Sequence, residues 1–311
     1  MKKYLVFAAA ILLAVSCGKK VDETLLGEYS PAQEYAFSGF TGIKTVSSGN
    51  CGVFDIKVVK APDYAVTMEL PALNPGQGFE IMQKGNTLIL KASKLNKKIR
   101  GYGPAKVVIA TPAAEAFSVD GANKVQVTGE FSAKKMDFNL SGASELGYIQ
   151  GSCQELRINI SGSSRLTAVN INSGKCGLTA SGASDASYCT FSGPELDIVL
   201  SGASKAIGLA TTAKSLKVSL SGSSTAGIDN GKDMDSVEAG ISGSSSFTVN
   251  GPSCKEMSIT CSGSSHADCT GLPVESAKAD ASGSSSVKVN AGSLASETSG
   301  AAGVQNVAGT K

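Results

Sequence analysis

Short segments in which apolar and polar residues alternate recur along most of this chain. An alternation with a period of two is typical of a β-strand that buries one face. The clearest examples precede a Ser-Gly pair: Met136, Phe138, Leu140; Leu156, Ile158, Ile160; Leu196, Ile198, Leu200; Leu216, Val218, Leu220; Met257, Ile259, Cys261. A second alternation follows the pair, and we expect these members to point inward: Leu146 and Tyr148, Ala186 and Tyr188, Phe247 and Val249, Val287 and Val289.

A four-residue motif, Ser-Gly-(Ala/Ser)-Ser, repeats with a spacing of 20 or 21 residues. It begins at Ser141, Ser161, Ser181, Ser201, Ser221, Ser242, Ser262 and Ser282, with a diverged copy at Asp120. A fixed period of this size indicates a solenoid. Twenty residues are too few for an ordinary strand-helix-strand unit, and no helical periodicity fills the remainder. The sequence therefore predicts an all-β fold, a single-stranded parallel β-helix with coils of about 20 residues, and the chirality of parallel crossovers predicts a right-handed one.

The motif predicts a sharp corner in every coil. Glycine adopts positive φ without a steric penalty, so Gly142 and its equivalents suit the turn itself. We expect the small third residue, Ala or Ser, to fit a crowded inside bend. Serines stacked at equal positions in neighbouring coils can hydrogen-bond along the solenoid axis.

Charged residues of opposite sign alternate at equal positions of successive coils. Directly after the motif the series is Lys124, Glu145, Arg165, Asp185 and Lys205, and six residues before the motif it is Lys135, Glu155, Lys175 and Glu195. Four residues before the motif stand Asp137, Arg157, Asp197, Lys217 and Glu238. Exposed ion pairs contribute little to stability. We therefore interpret these ladders as structural, because a slip by one coil would place like charges opposite each other.

The sequence divides into five parts. They are a lipoprotein signal peptide (1–16), a lipid-anchored tether (17–36), an N-terminal β-rich cap with the first coils (37–115), the regular β-helix (116–300) and a tail (301–311). In the third part, residues 54–58 and 87–90 are predicted strands, and residues 74–76 and 84–86 are predicted turns. An open end coil would favour self-association by edge pairing.

The N-terminus carries a basic start, an apolar stretch and no acidic residue, which is typical of an export signal. Leu13-Ala14-Val15-Ser16-Cys17 resembles the lipobox of bacterial lipoproteins, in which the cysteine is acylated and becomes the mature N-terminus. In such proteins Gly18, rather than Asp, favours delivery to the outer membrane. The lipid would anchor the chain to a membrane. A plain secretory peptide with an accidental Cys17 is the alternative.

The net charge argues against nucleic acid as a partner. Removing residues 1–16 takes away two of the 28 basic residues and leaves 26 against 26 acidic ones, a formal net charge of zero. Residues 91–106 are the exception, because their basic residues have no acidic neighbour. Within them Lys94, Lys97, Lys98 and Arg100 are candidate contacts for a phosphate or an acidic glycan, and a solvated loop is the alternative.

Seven cysteines remain after Cys17, and an odd number cannot all pair within one chain. The repeat places no two of them at equal positions in adjacent coils. We therefore expect most of them to be small buried apolar residues rather than a disulfide framework.

Two groups of residues suggest chemistry, and the repeat argues against both. Cys254, Cys261, His266 and Cys269 are close enough in sequence for a zinc site, but the cysteines at 261 and 269 fall at inward positions and His266 at an outward one. His266 stacks between Ser246 and Ser286 near Asp268, on a flat face without an oxyanion hole. We expect no catalytic residue, no metal and no cofactor.

Several segments together resemble a bacterial domain family described as "putative auto-transporter adhesin, head GIN domain". The resemblance covers roughly residues 37–290: an entry segment at 40–46, a strand pair near 79–90, a strand at 107–112, and then the Ser-Gly coils. Together with the lipobox, it is similar to the exported, often lipid-anchored members of Bacteroides-like bacteria. The resemblance implies fold and compartment, and it supplies no catalytic residues.

We therefore expect a non-enzymatic lipoprotein of the cell envelope, anchored in the outer membrane by its lipid and lying at the cell surface or on the periplasmic side. It would serve as an adhesin or surface binding module that presents a β-helix face to a glycan or a surface protein. Two alternatives stay open: a polysaccharide-active β-helix enzyme, and a periplasm-facing structural scaffold.

Overall fold

The computed structural model describes residues 28–47, 53–71, 78–93 and 103–308, and within these ranges it contains strands and no helix. The strands are β1 (Gln33–Tyr35), β2 (Gly42–Ser47), β3 (Phe54–Lys60), β4 (Ala65–Glu69), β5 (Phe79–Lys84), β6 (Thr87–Ala92), β7 (Ala105–Thr111), β8 (Ala116–Val119), β9 (Lys124–Thr128), β10 (Glu130–Leu140), β11 (Glu145–Gly147), β12 (Gln150–Ile160), β13 (Arg165–Thr167), β14 (Asn170–Ala180), β15 (Thr190–Ser192), β16 (Glu195–Leu200), β17 (Lys205–Thr211), β18 (Ser215–Leu220), β19 (Thr225–Asn230), β20 (Met234–Ile241), β21 (Ser246–Asn250), β22 (Cys254–Cys261), β23 (His266–Gly283), β24 (Ser286–Gly300) and β25 (Gly303–Asn306).

From β8 onward every pairing between successive coils is parallel, and equal positions of neighbouring coils lie opposite each other. Lys135 is paired with Glu155, which is paired in turn with Lys175 on the next coil. The result is a β-solenoid of about 10 turns with coils about 20 residues apart, which confirms the predicted fold class. The return between coils is itself a strand segment, because residues 150–153 pair with 130–133 and with 170–173.

The corner of each coil depends on glycine for two reasons. Gly182 has a φ of +76°, a left-handed conformation that side chains disfavour, and a Cβ there would lie 2.6 Å from the carbonyl oxygen of Gly162. The third motif residue, Ala183, is exposed, so the expectation that it fills a crowded inside bend is wrong. The fourth residue, Ser184, is the buried one, and its hydroxyl donates to the carbonyl oxygen of Ser181 at 2.6 Å.

The first coils are not stacked in the order in which they occur in the sequence. β2 pairs with both β6 and β8, and β3 pairs with both β7 and β9, so β2 and β3 lie between the pair β6 and β7 on one side and the pair β8 and β9 on the other. The outer edge of β6 and β7 is covered by antiparallel strands: β5 pairs with β6, and β4 pairs with β7 and β1. This end of the solenoid is therefore capped.

The core consists of aliphatic and small residues together with phenylalanines, some of which pack in pairs, and it includes cysteine. Six cysteines of the described ranges are free thiols: Cys153 is half-buried, and Cys176, Cys189, Cys254, Cys261 and Cys269 are buried. Burial raises the pKa of the Cys189 thiol to about 11. These cysteines pack as small apolar residues, as the repeat predicts. Cys51 lies outside the described residues.

Tyr148 and Tyr188 point outward, so the prediction that they lie at inward positions is wrong. Their φ values are +63° and +58°, and this turn of the backbone inserts one extra residue into the strand. Ile149 and Cys189 occupy the inward positions instead. The same conformation occurs one coil further on at Gly208, where pairing with the next coil shifts register between 206 and 209.

Candidate binding faces

The first strand of each coil presents three columns of outward side chains, which we call the first-strand face. The columns contain the residues six, four and two positions before the Ser-Gly pair. The outermost column runs in register through Lys135, Glu155, Lys175, Glu195, Ser215, Ser236, Glu256, Ser276 and Ser293. Adjacent members of a column are one strand spacing, about 4.8 Å, apart.

Ion pairs on the first-strand face run both across coils and along strands. Across coils, Lys175 Nζ lies 3.5 Å from Glu195, and Lys217 Nζ lies 3.0 Å from Glu238. The hydrogen bond from Lys217 to Glu238 raises the pKa of this lysine. Two members of the predicted ladder pair along their own strands instead, Lys135 with Asp137 and Glu155 with Arg157. The ladder positions are thus in register between coils. Some of their side chains nevertheless form ion pairs within their own strand instead of with the next coil.

Shallow grooves follow the first-strand face. One of about 460 Å³ extends from Ser215 and Lys217 to Lys278, and a second of about 240 Å³ continues it past Lys217 to Lys175. A third, of about 230 Å³, lies over the column two residues before the motif, where the Asn159 amide donates to Asn139 Oδ1 at 2.9 Å. These grooves are open along their length, so a ligand would lie along the solenoid instead of entering it.

The second strand of each coil forms the second-strand face. Its first column is the series Lys124, Glu145, Arg165, Asp185 and Lys205, followed by Thr225, Ser246, His266 and Ser286. Lys124 lies 3.7 Å from Glu145, and Arg165 lies 3.7 Å from Asp185. All of these side chains are at least partly exposed, so we expect the pairs to contribute little to the stability of the fold.

Tyr148 and Tyr188 stand on the second-strand face with 55% and 77% of their surface exposed. They occupy equal positions two coils apart, with Ala168 between them. The ring of Tyr188 lies over the main chain of Gly208, since a Cβ on that glycine would be 2.9 Å from Tyr188 Cδ1. The sequence does hold a signal for this bulge: two adjacent apolar residues, such as Tyr148 and Ile149, interrupt the alternation.

His266 lies on the second-strand face and not in the core. Its Nδ1 is 2.7 Å from Ser286 Oγ. Asp268 accepts hydrogen bonds from the Thr270 hydroxyl at 2.7 Å and from the Thr270 amide at 3.1 Å, and these bonds lower the pKa of the carboxyl. Asp268 is therefore oriented by Thr270, and the arrangement is a surface hydrogen-bond network.

The four residues considered for a zinc site do not converge, as the repeat indicates. Cys261 and Cys269 point into the core, whereas His266 points outward. Across the residues that the structure describes, no cluster of three or more His, Cys, Asp or Glu side chains could hold a metal ion.

The lipidation site and the basic contacts lie outside the described residues. These are Cys17 in the N-terminal segment and Lys94, Lys97, Lys98 and Arg100 in the segment 94–102. Among the described residues, no helix has both the length and the apolar character needed to cross a membrane.

Comparison with known proteins identifies the fold and the family. A protein described as a putative adhesin from Parabacteroides distasonis superposes with a TM-score of 0.51 at 16% identity, covering 90% of this chain and 98% of that one. A protein described as a putative lipid binding protein from the same organism superposes with a TM-score of 0.55 at 13% identity, covering 90% of this chain and 97% of that one. At these identities the similarity concerns the fold alone. A search of curated proteins finds no relative.

The family model described as "Putative auto-transporter adhesin, head GIN domain" matches residues 77–208 and 192–309. The two matches overlap within the regular coils and together cover well over half of the chain. This agrees with the resemblance that the Ser-Gly repeats suggest. The chain belongs to the family described as "putative auto-transporter adhesin, head GIN domain".

Proposed function

We propose that this chain is an exported, non-enzymatic binding protein of the cell envelope, held on the outer membrane by a lipid at Cys17. It would act in the manner of an adhesin, with a side face of the solenoid bound to a glycan or a surface protein. The observation that carries the proposal is the continuous pairing along the outermost column of the first-strand face. Over nine coils the outermost column of the first-strand face presents one side chain every strand spacing.

Such columns suit extended ligands. A surface with a fixed repeat is complementary to a partner that is extended or has a repeating structure itself. Repeat proteins commonly bind partners along their extended faces. The open grooves between Lys175 and Lys278 follow the same direction. Polar side chains on both sides of these grooves supply hydrogen-bond donors and acceptors.

The carboxylates of these faces favour binding over glycoside chemistry. A glycosidase places two carboxyl groups about 5 to 9.5 Å apart across the scissile bond. At equal positions next to Glu195 stand Lys175 and Ser215, and the Lys175 ammonium forms an ion pair with this carboxylate. The polysaccharide-active enzyme is the first rival function, and turnover of a polysaccharide that is lost on carboxylate substitution would replace our proposal.

Exposure at the cell surface is the second part of the proposal, and the rival is a periplasm-facing scaffold. The test is protease treatment or an impermeant amine label on intact cells that make the full chain, with a soluble periplasmic protein as the protection control. We expect the solenoid to be cut or labelled while the control is protected. Protection of both proteins would overturn the surface assignment.

The anchor has its own test. A Cys17→Ser variant should leave the membrane fraction and appear in the soluble fraction, while a Cys51→Ser variant should stay with the membrane. Retention of both variants in the membrane would contradict acylation at Cys17.

Binding is tested with the purified full-length chain on immobilised glycans and on host and bacterial cell surfaces. Saturable binding that glycosidase or protease treatment of the surface removes supports the proposal and identifies the class of partner. The proposal fails if no surface binds the chain in a saturable way.

A further inference from the structure

Tyr148 and Tyr188 hold a backbone conformation that tyrosine disfavours. Positive φ is uncommon for residues other than glycine, and bulky side chains pay most for it. The same conformation one coil further on is held by Gly208, which adopts it without cost. Strained residues of this kind concentrate at functional sites. Glycine or asparagine would adopt this backbone conformation with less strain than tyrosine. The presence of tyrosine therefore indicates that its side chain has a function.

The two rings are arranged along the solenoid axis. Tyr148 and Tyr188 occupy equal positions two coils apart, which places their Cα atoms about 10 Å from each other. Ala168 between them is exposed and carries only a methyl group. One side of the Tyr188 ring is supported by Gly208, and 77% of the residue faces solvent.

Charged groups lie on the same face, three residues before Ala168 and Tyr188 in the sequence. Asp185 accepts a hydrogen bond from the amide of Ser187 at 3.0 Å and forms an ion pair with Arg165 at 3.7 Å. The Arg165 side chain is 61% exposed, so its remaining N–H donors are available to a ligand. The second-strand face thus combines two exposed aromatic rings with hydrogen-bond donors and acceptors on the same face.

This combination suits a carbohydrate better than a protein. The axial C–H groups of a pyranose ring pack against the electron-rich face of an aromatic ring, while the hydroxyl groups need hydrogen-bond partners beside it. A protein partner is usually held by a desolvated cluster of side chains in a well-packed centre. Here the two rings are separated by an alanine and lie on an open face.

We propose that Tyr148 and Tyr188 form a platform for a neutral, linear glycan, which lies along the solenoid axis and stacks one sugar ring on each tyrosine. The distance between the two positions is close to the length of a disaccharide unit in an extended chain. Arg165 and Asp185 bind hydroxyl groups at the edge of the platform. This inference rests on the proposed function, because it names the ligand class of that binding protein and places a binding site on its second-strand face.

The test is titration of the purified full-length chain with neutral linear hexasaccharides, namely those of cellulose, chitin, xylan, laminarin and mannan. The chain contains seven tyrosines and no tryptophan, so tyrosine fluorescence and near-ultraviolet circular dichroism report directly on stacking. Calorimetry measures affinity in parallel. We expect at least one of these hexasaccharides to bind and to change the tyrosine spectrum.

Single variants then assign the site. Tyr148→Ala and Tyr188→Ala should each lower the affinity about tenfold or more, as hot-spot residues do. Ala168 already adopts the same conformation, so alanine is compatible with folding at this position. Tyr188→Phe should keep the affinity, because the ring face carries the interaction. Met82→Ala, which truncates an exposed apolar residue of the capping strand β5, is the matched control and should bind as the unaltered chain does.

The outcomes separate this site from the wider proposal. If a hexasaccharide binds and both alanine variants bind it equally well, the platform is wrong and the adhesin function stands. If none of the hexasaccharides binds, while the chain still binds cell surfaces in a protease-sensitive way, the glycan class is overturned. If no surface of any kind binds the chain, both proposals fail.

Discussion

The carbonyl oxygen of Gly182 lies 2.5 Å from the point that a Cβ of Gly202 would occupy. Each corner glycine therefore stacks directly on the main chain of the corner glycine one coil before it. Gly202 also has a φ of +71°, so a side chain there would be strained even if the space were free. Glycine in the repeating Ser-Gly pair is thus required both for the stacking of one coil on the next and for the turn of the backbone at the corner.

Replacing a corner glycine should destabilise the solenoid strongly. For Gly202→Ala we expect a loss of more than about 2 kcal/mol in the free energy of unfolding, because left-handed strain costs about 1–2 kcal/mol and overpacking costs a similar amount. Urea titration followed by circular dichroism measures the loss.

Gly240 is the matched control for this change. It lies within the strand β20, and a Cβ there would meet nothing within 4 Å. Gly240→Ala should leave stability unchanged or raise it slightly, because alanine reduces the conformational freedom of the unfolded chain. Equal changes in the free energy of unfolding for Gly202→Ala and Gly240→Ala would show that the corner does not require glycine.

The regular coils could be predicted from sequence because the repeat length of about 20 residues determines which residues lie opposite each other in neighbouring coils. Lys175 and Glu195 are 20 positions apart and lie opposite each other. The first coils have no constant repeat length. The position of β2 between β6 and β8 depends on pairings between segments about 45 and 75 residues apart, and nothing local in the sequence indicates which pairing is preferred.

The candidate platform escaped prediction for a different reason. Alternation assigns every second residue to the core, so it placed Tyr148 and Tyr188 inside. A residue with positive φ adds one residue to the strand at this point. The inward and outward positions after it are therefore exchanged relative to a regular alternation. Only the neighbouring apolar residue, Ile149 or Cys189, reveals the shift in the sequence.

Charge reversal within a ladder should weaken stacking at low salt. Glu155 lies between Lys135 and Lys175, so Glu155→Lys places three lysines in a row. We expect a loss of up to about 1 kcal/mol in the free energy of unfolding at low ionic strength, and less when salt screens the charges. Glu256→Lys is the matched control, since this residue lies between Ser236 and Ser276 in the same column. A Glu155 variant as stable as the unaltered chain at low salt would disprove the role in register.

The contribution of the Asp235–Lys255 ion pair should depend on pH. Lys255 Nζ donates to Asp235 at 2.6 Å, which lowers the pKa of this carboxyl below its usual 3.8 and raises the pKa of the lysine above its usual 10.5. The contribution of Asp235 is present above pH 3.8 and is lost as the pH falls through the lower pKa of the folded state. The contribution of Lys255 is present below pH 10.5 and is lost as the pH rises through its raised pKa.

A double-mutant cycle measures this coupling. With Asp235→Asn and Lys255→Met we expect a small favourable coupling energy at neutral pH and none in strongly acidic buffer. Both side chains are more than half exposed, so added salt should reduce the neutral value as well. A coupling energy that persists in strong acid would show that the charges do not cause it.

The buried cysteines should resist alkylation in the folded chain. Cys153 is half-buried, whereas Cys269 is completely buried and burial raises its pKa. Because the thiolate is the reactive form, we expect Cys153 to react with a maleimide at least about tenfold faster than Cys269, as measured by mass mapping of the labelled peptides. In denaturant the two rates should become equal. Equal rates in the folded chain would contradict the burial of Cys269.

Replacing Tyr188 by asparagine separates the stability of the fold from the binding that we propose. Asparagine tolerates positive φ better than tyrosine does, and the exposed tyrosine ring buries little surface that would be lost. Tyr188→Asn should therefore be as stable as the unaltered chain, or more stable by up to about 1 kcal/mol. Its affinity for the hexasaccharide should fall as in Tyr188→Ala. If the ring served only to cover Gly208, this variant would instead unfold at lower urea concentration, and glycan binding would be unchanged.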